Sequence, residues 1–153
     1  MRSPKSSFGN SFWTVFLIGW ALVTGALCRF LPVIATSYPI NDGGLFYTMA
    51  EDILRAGYAL PAYTSFNNAG IPFAYPPFGL YLAAGLHSTF GMPLLDLFHW
   101  LPALIAYLAI SAFFLLAREI LHGSEKAALA TAFFAVLPLP VLWLIMGGGL
   151  TRS

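Results

Sequence analysis

Apolar residues run along this chain in three long stretches, with a region of mixed pattern between the first two. Phe12 to Cys28 carries no charge, and if Arg29 is a boundary residue that snorkels toward the headgroups the run continues through Phe30, Leu31, Pro32 and Val33. A helix needs about 20 apolar residues to cross about 30 Å of hydrocarbon. Residues 12–33 are therefore expected to form a first transmembrane helix. Residues 94–118 form a second, in which the rings of Phe98, His99 and Trp100 suit the headgroup level. Residues 126–146 form a third, kinked at Pro138 and Pro140 in a way that neighbouring helices can tolerate.

The stretch 34–93 follows another rhythm. Over 44–56, Leu45, Phe46, Met49, Ala50, Ile53 and Leu54 share one face of a 3.6-residue period, and Tyr47, Thr48, Glu51, Asp52 and Arg55 share the other. Such an amphipathic helix lies in the plane of a membrane interface. Gly57 ends it, glycine being free to take a positive φ. Pro61, Asn67, Asn68, Gly70 and Pro72 spell irregular backbone, and Pro77 then opens a second surface helix over 77–90.

The apolar core of that second helix, Phe78 to Leu86, is short, so a fourth crossing is the alternative to a surface position. Charge decides between them. Arg2 and Lys5 precede the first run, which sets residues 1–11 in the cytoplasm. Three crossings return the turn 119–125, with Arg118 and Lys126 beside it, to the cytoplasm, whereas four would place it outside. The expected fold is all-α and integral to the membrane: about three transmembrane helices, with two juxtamembrane surface helices in the first extracytoplasmic loop. A secretory signal peptide is the competing use of the first run, but its apolar stretch is longer than the usual signal core.

Composition agrees with the pattern. Charged residues make up 8% of the chain and hydrophobic ones 59%, far from the balance of a soluble domain. The net charge of +1 comes from scattered residues, which excludes a nucleic-acid partner. Cys28, the one cysteine, lies in an apolar run, so no disulfide framework or Cys/His metal cluster exists.

Function is to be sought in the long loop. Asp42 starts the amphipathic helix, where Asp is a favoured N-cap, and capping is the plain reading of it. Glu51 and Asp52 read as a solvated face with a Glu51 to Arg55 pair at i, i+4. With Tyr47 on the same face, they are also the candidate substrate contacts. No cofactor is expected; a divalent ion held by Asp42, Glu51 and Asp52 is the minor alternative their hard oxygens leave open.

The order of these features carries a resemblance. A first span, then Asp42 with Phe46-Tyr47-Thr48-Met49-Ala50-Glu51-Asp52-Ile53-Leu54, then Gly57-Tyr58-Ala59-Leu60-Pro61, then Tyr75-Pro76-Pro77-Phe78-Gly79-Leu80-Tyr81, resembles the N-terminal region of GT-C fold glycosyltransferases. The likeness is to the protein O-mannosyltransferase and aminoarabinose transferase group. It implies a multi-pass plasma-membrane enzyme that takes a sugar from a polyprenyl-phosphate donor and passes it to an acceptor hydroxyl on the extracytoplasmic face. Asp42 matches the family's loop Asp, which deprotonates that hydroxyl. The relatives often carry Asp-Glu where this chain has Asp42-Gly43, and a Lys before the proline motif where it has Tyr75. Phosphate contact would then fall to the Tyr75 hydroxyl or to Arg152, a residue that also reads as a solvated terminal cation. Since such enzymes have many more spans, residues 147–153 are expected to mark a truncated end, and the piece alone to have little turnover. A small non-enzymatic scaffold or assembly subunit is the rival reading.

Overall fold

The computed structural model describes residues 7–39, 41–137 and 150, with side chains from Phe12 onward. The described residues form five α-helices: α1 (Ser7–Ile34), α2 (Gly43–Arg55), α3 (Phe78–Phe90), α4 (Leu94–Leu121) and α5 (Ser124–Val136). A 3₁₀ turn at Phe66–Asn68 and an isolated Tyr63 to Pro72 bridge shape the loop between α2 and α3.

Two helices are long and apolar enough to cross a membrane, over Phe12–Ile34 and Leu94–Leu121. At about 1.5 Å per residue, α1 and α4 each extend about 42 Å, whereas α2, α3 and α5 extend about 20 Å. So α3 is shorter than the hydrocarbon layer. Phe12, Trp13, Val23 and Leu27 on α1, and Leu108, Leu115 and Ile120 on α4, point outward and stay exposed. An apolar face of that extent suits lipid far better than water.

α1, α4 and α5 form a bundle. His99 meets Val33, Ala106 meets Arg29, and Ile110 meets Gly25, so α4 runs antiparallel to α1. α5 turns back alongside α1, with Ala132 and Ala135 in one core with Ala21 and Ile110. Small residues set this spacing. A Cβ on Gly25 would overlap the Ile110 side chain and press on Arg29 and Ala135.

The corner between α4 and α5 is tighter than the expected 119–125. Glu119 continues α4, and the chain reverses at His122, with φ 49°, and Gly123. Arg118 in the last turn of α4 and Glu125 in the first turn of α5 each complement a helix dipole. α5 stops at Val136 because Leu137 is extended, as suits a residue before proline. Pro138, Pro140 and the rest of the expected span to 146 lie outside the described residues.

α2 and α3 pack together as a platform against the N-terminal half of α4. Phe46, Met49, Ala50 and Ile53 of α2 meet Leu80, Ala83 and Ala84 of α3 and Leu94, Leu97 and Phe98 of α4, with Leu150 closing the cluster. Phe98, expected at headgroup level, is instead fully buried here. Its position on α4 faces the platform, and the platform core outcompetes the interface. Gly79 admits the backbone of residue 150, whose carbonyl a Cβ would overlap.

The end of α2 is closed by a Schellman pair: the Gly57 N–H bonds to the Leu54 carbonyl at 3.1 Å and the Tyr58 N–H to the Ile53 carbonyl at 2.9 Å. Both residues take positive φ. For Tyr58 that conformation is held from outside, since its hydroxyl bonds to Ser88 and to the Ala84 carbonyl, and its own carbonyl accepts from Tyr81.

Candidate functional site

Asp42 stands at the N-cap position of α2 and is half-buried. The expected capping does not occur: its side chain makes no capping hydrogen bond, and its backbone carbonyl accepts the Phe46 N–H at 3.2 Å. The φ of 66° at Asn41 shows how sharply the chain turns into the helix.

About 13 Å farther along α2, by the helical rise, lies a polar cluster. The Tyr47 hydroxyl donates to Glu51 Oε1 at 3.0 Å, and Arg55 Nη2 donates to Glu51 Oε2 at 2.9 Å. The 3.6-residue period puts these side chains in one row, as the expected Glu51 to Arg55 pair requires. The hydrogen bond to Glu51, with burial and the carboxylate's charge adding, holds the Tyr47 phenol above its ordinary value against the opposing pull of Arg55. This row lines a cleft of about 340 Å³, whose far wall carries His87 from α3 and Leu94 and Leu95 from α4. His87 Nδ1 lies 2.7 Å from the Met92 carbonyl.

Asp52 departs from the solvated face expected for it. Only 9% of it is exposed. The Thr64 hydroxyl and the Ser65 N–H donate to Oδ2, both at 2.8 Å, and the Ser65 hydroxyl donates to Oδ1 at 2.6 Å. Burial alone would raise its pKa, but the Ser65 side-chain and backbone donors, Thr64 and then Arg55 outweigh that and hold the carboxyl below its ordinary range. With three hydrogen bonds committed to the loop, Asp52 is a strut that ties Thr64 and Ser65 to α2.

Tyr75 lies with its ring edge-on to Phe46, centroids 4.9 Å apart, on the edge of the platform core. Arg152 lies outside the described residues. The structure thus brings Tyr47 and Glu51 together, links Asp52 to them only through Arg55, which lies 3.8 Å from its Oδ1, and places Asp42 at the other end of α2. Among the described residues no group of three His, Cys, Asp or Glu side chains is placed to hold a metal ion.

Arg29 was expected to snorkel, and it does not: it is 1% exposed in the middle of the bundle. Its Nε donates to the Ala106 carbonyl at 2.9 Å, and its Nη1 to the carbonyls of Ala135 at 2.8 Å and Gly25 at 3.2 Å. Ala135 is in the last turn of α5, where carbonyls lack helical partners and a cation is favoured. The guanidinium also lies 5.9 Å from the Phe134 ring centroid. Inward carbonyls from three helices hold the side chain better than a distant headgroup could. Five residues, Phe30 to Ile34, follow Arg29 before α1 ends, so the guanidinium sits within the helix rather than at its boundary. Nothing local flags His87, which reaches the cleft only through the packing of α3.

His99 does the corresponding work for α1. Its Nε2 donates to the Val33 carbonyl at 3.0 Å, while Thr36 donates to the carbonyls of Pro32 and Val33. These bonds fix the entry to the loop that carries Asp42. Comparison of the chain with protein-family models, with curated proteins and with solved structures found no match.

Proposed function

We propose that this chain is a multi-pass protein of the plasma membrane that crosses three times, with α2 and α3 on the extracytoplasmic side, and that it forms the first-loop platform of a GT-C-type glycosyltransferase. The observation that carries this reading is the platform itself: two short helices laid against the start of α4, at the bundle end opposite Arg118 and Lys126. Asp42, Glu51, Asp52 and Asp96 lie at the platform end with Arg55 as the one described cation there, which fits the positive-inside rule for an outward platform.

In this reading the donor is a polyprenyl-phosphate-linked sugar. Asp42 accepts the proton of the acceptor hydroxyl as the acceptor oxygen bonds to the anomeric carbon, and the polyprenyl phosphate leaves with the electron pair of the broken C–O bond. Single displacement inverts the anomeric centre. Tyr75, at the platform edge, is the hydroxyl donor toward the phosphate.

The test is sugar transfer by membranes containing the complete protein, with polyprenyl-phosphate sugars as donors. Asp42→Asn is expected to lower transfer by about 10²- to 10⁴-fold, the usual worth of a positioned base, with Asp42→Glu partly active. Undiminished transfer by Asp42→Asn would remove Asp42 from the mechanism. A non-enzymatic assembly subunit is favoured by a different feature, the apolar groove of about 310 Å³ between α1 and α5 lined by Phe16, Trp20 and Phe133. That reading expects no transfer under any donor and stable co-purification of another membrane protein.

A further inference from the structure

The cleft beside α2 is built for a ligand of a particular kind. Its positive charge is cancelled: Arg55 lies 2.9 Å from Glu51 and 3.8 Å from Asp52, so the walls offer no unbalanced cation to a phosphate. Its hydrogen-bonding capacity does not cancel. A carboxylate has about four lone-pair sites, and Tyr47 and Arg55 use one on each oxygen of Glu51.

His87 adds an acceptor whose identity the geometry fixes. The Met92 carbonyl can only accept, so Nδ1 at 2.7 Å carries the hydrogen, and in the neutral ring Nε2 is left with a lone pair. Arg55 retains donors beyond the one given to Glu51. Leu54 and Leu95 supply apolar wall between these groups. Glu51 and Arg55 in one row, His87 on the opposite wall and an apolar patch alongside match the hydroxyls and the C–H face of a sugar ring. A volume of about 340 Å³ falls within the ~300–1,000 Å³ of small-molecule sites.

We propose that this cleft binds a neutral, hydroxyl-rich headgroup, a sugar or polyol, with Glu51 and His87 accepting from its hydroxyls and Arg55 donating to them. The site rests on the transferase reading for its place in a reaction, as the seat of the sugar-bearing part of a substrate some 13 Å from Asp42 along the helix. The ligand chemistry could come free in solution or on a glycolipid.

Saturation-transfer NMR on the full chain in nanodiscs separates these sources, with methyl α-glucoside and methyl α-mannoside as free probes and glucosyl diacylglycerol as the lipid probe. Binding of the methyl glycosides is expected if the ligand is soluble, and of the glycolipid alone if it is lipid-borne; either supports the site. Glu51→Gln and His87→Ala should each weaken binding at least about tenfold, and Tyr47→Phe, which keeps the ring and the fold, by about three- to tenfold. Unfolding midpoints measured on the same samples separate loss of ligand from loss of structure. Inorganic phosphate binding in preference to every sugar, or sugar binding untouched by all three substitutions, would overturn the proposal. Asp42-dependent transfer with no sugar held at the cleft would overturn this site and leave the transferase reading standing.

Discussion

Arg29 concentrates more of the fold's polar energetics than any other described side chain in the bundle. Replacing it with Ala strips a donor from three carbonyls in three helices, two of which lose a partner across a helix interface. Charge-assisted hydrogen bonds and the cost of orphaned buried carbonyls put the loss on the order of 2–4 kcal/mol. Arg29→Lys should fall between, since an ammonium cannot reach Ala106 and Ala135 together with the guanidinium's geometry. Unfolding in detergent by denaturant titration measures both, and an Arg29→Ala protein as stable as the parent would contradict the assignment. Asp52 makes a prediction in pH. Its folded pKa lies below the unfolded value of 3.8, so its contribution is fully present above that value and lost as pH falls through the lower folded one. The unfolding midpoint of the parent should therefore drop on acidification below about pH 4 more steeply than that of Asp52→Asn, which is destabilised already at neutral pH by about 1–3 kcal/mol. Parallel curves would show that the carboxylate is not the group that titrates.

Among the elements, the packing of α1 against α4 and α5 turns on Gly25. A leucine there has nowhere to go, with Ile110, Arg29 and Ala135 around it, so Gly25→Leu should push the helices apart and cost roughly 1–3 kcal/mol or more. Thermal unfolding followed by circular dichroism reads that loss, while Gly19→Leu, on an open face of the same helix, should leave it nearly unchanged. Helix extents were largely legible from period and capping residues: 44–56 was expected and Gly43–Arg55 is found, and 77–90 was expected and Phe78–Phe90 is found. What periodicity left open was which partner each face takes. The apolar face of α2 reads as lipid-seeking on its own, yet it is buried under α3 and α4. Phe98 follows the same logic.

On the scale of the whole molecule, the bundle gathers α1's start and the α4 to α5 corner at one end and the platform at the other. With Cys28 replaced by Ser to remove the one native thiol, Asn67→Cys should react with a membrane-impermeant maleimide added to intact cells. Ser124→Cys should react only after permeabilisation. The opposite pattern would reverse the topology and with it the proposed transfer on the outer face.

The amino-acid sequence by itself determined that the chain is helical and that two surface helices, 44–56 and 77–90, lie between its apolar runs, because these properties depend on runs and periods that local composition sets; of the three crossings it predicted, two are helices long and apolar enough to span a bilayer among the described residues. It also marked Asp42, Tyr47 and Glu51, the last two as neighbours by helical spacing. The tertiary structure alone decided that Asp52 is consumed by Thr64 and Ser65, that Arg29 turns inward to three helices, and that His87 faces Glu51 across a cleft. The physical reason is plainest for the first two. A polar side chain's role depends on whether a partner lies within about 3 Å, and apart from Gly25, four residues from Arg29, the partners of Asp52 and Arg29 sit 12 to 106 residues away along the chain, where only packing brings them close.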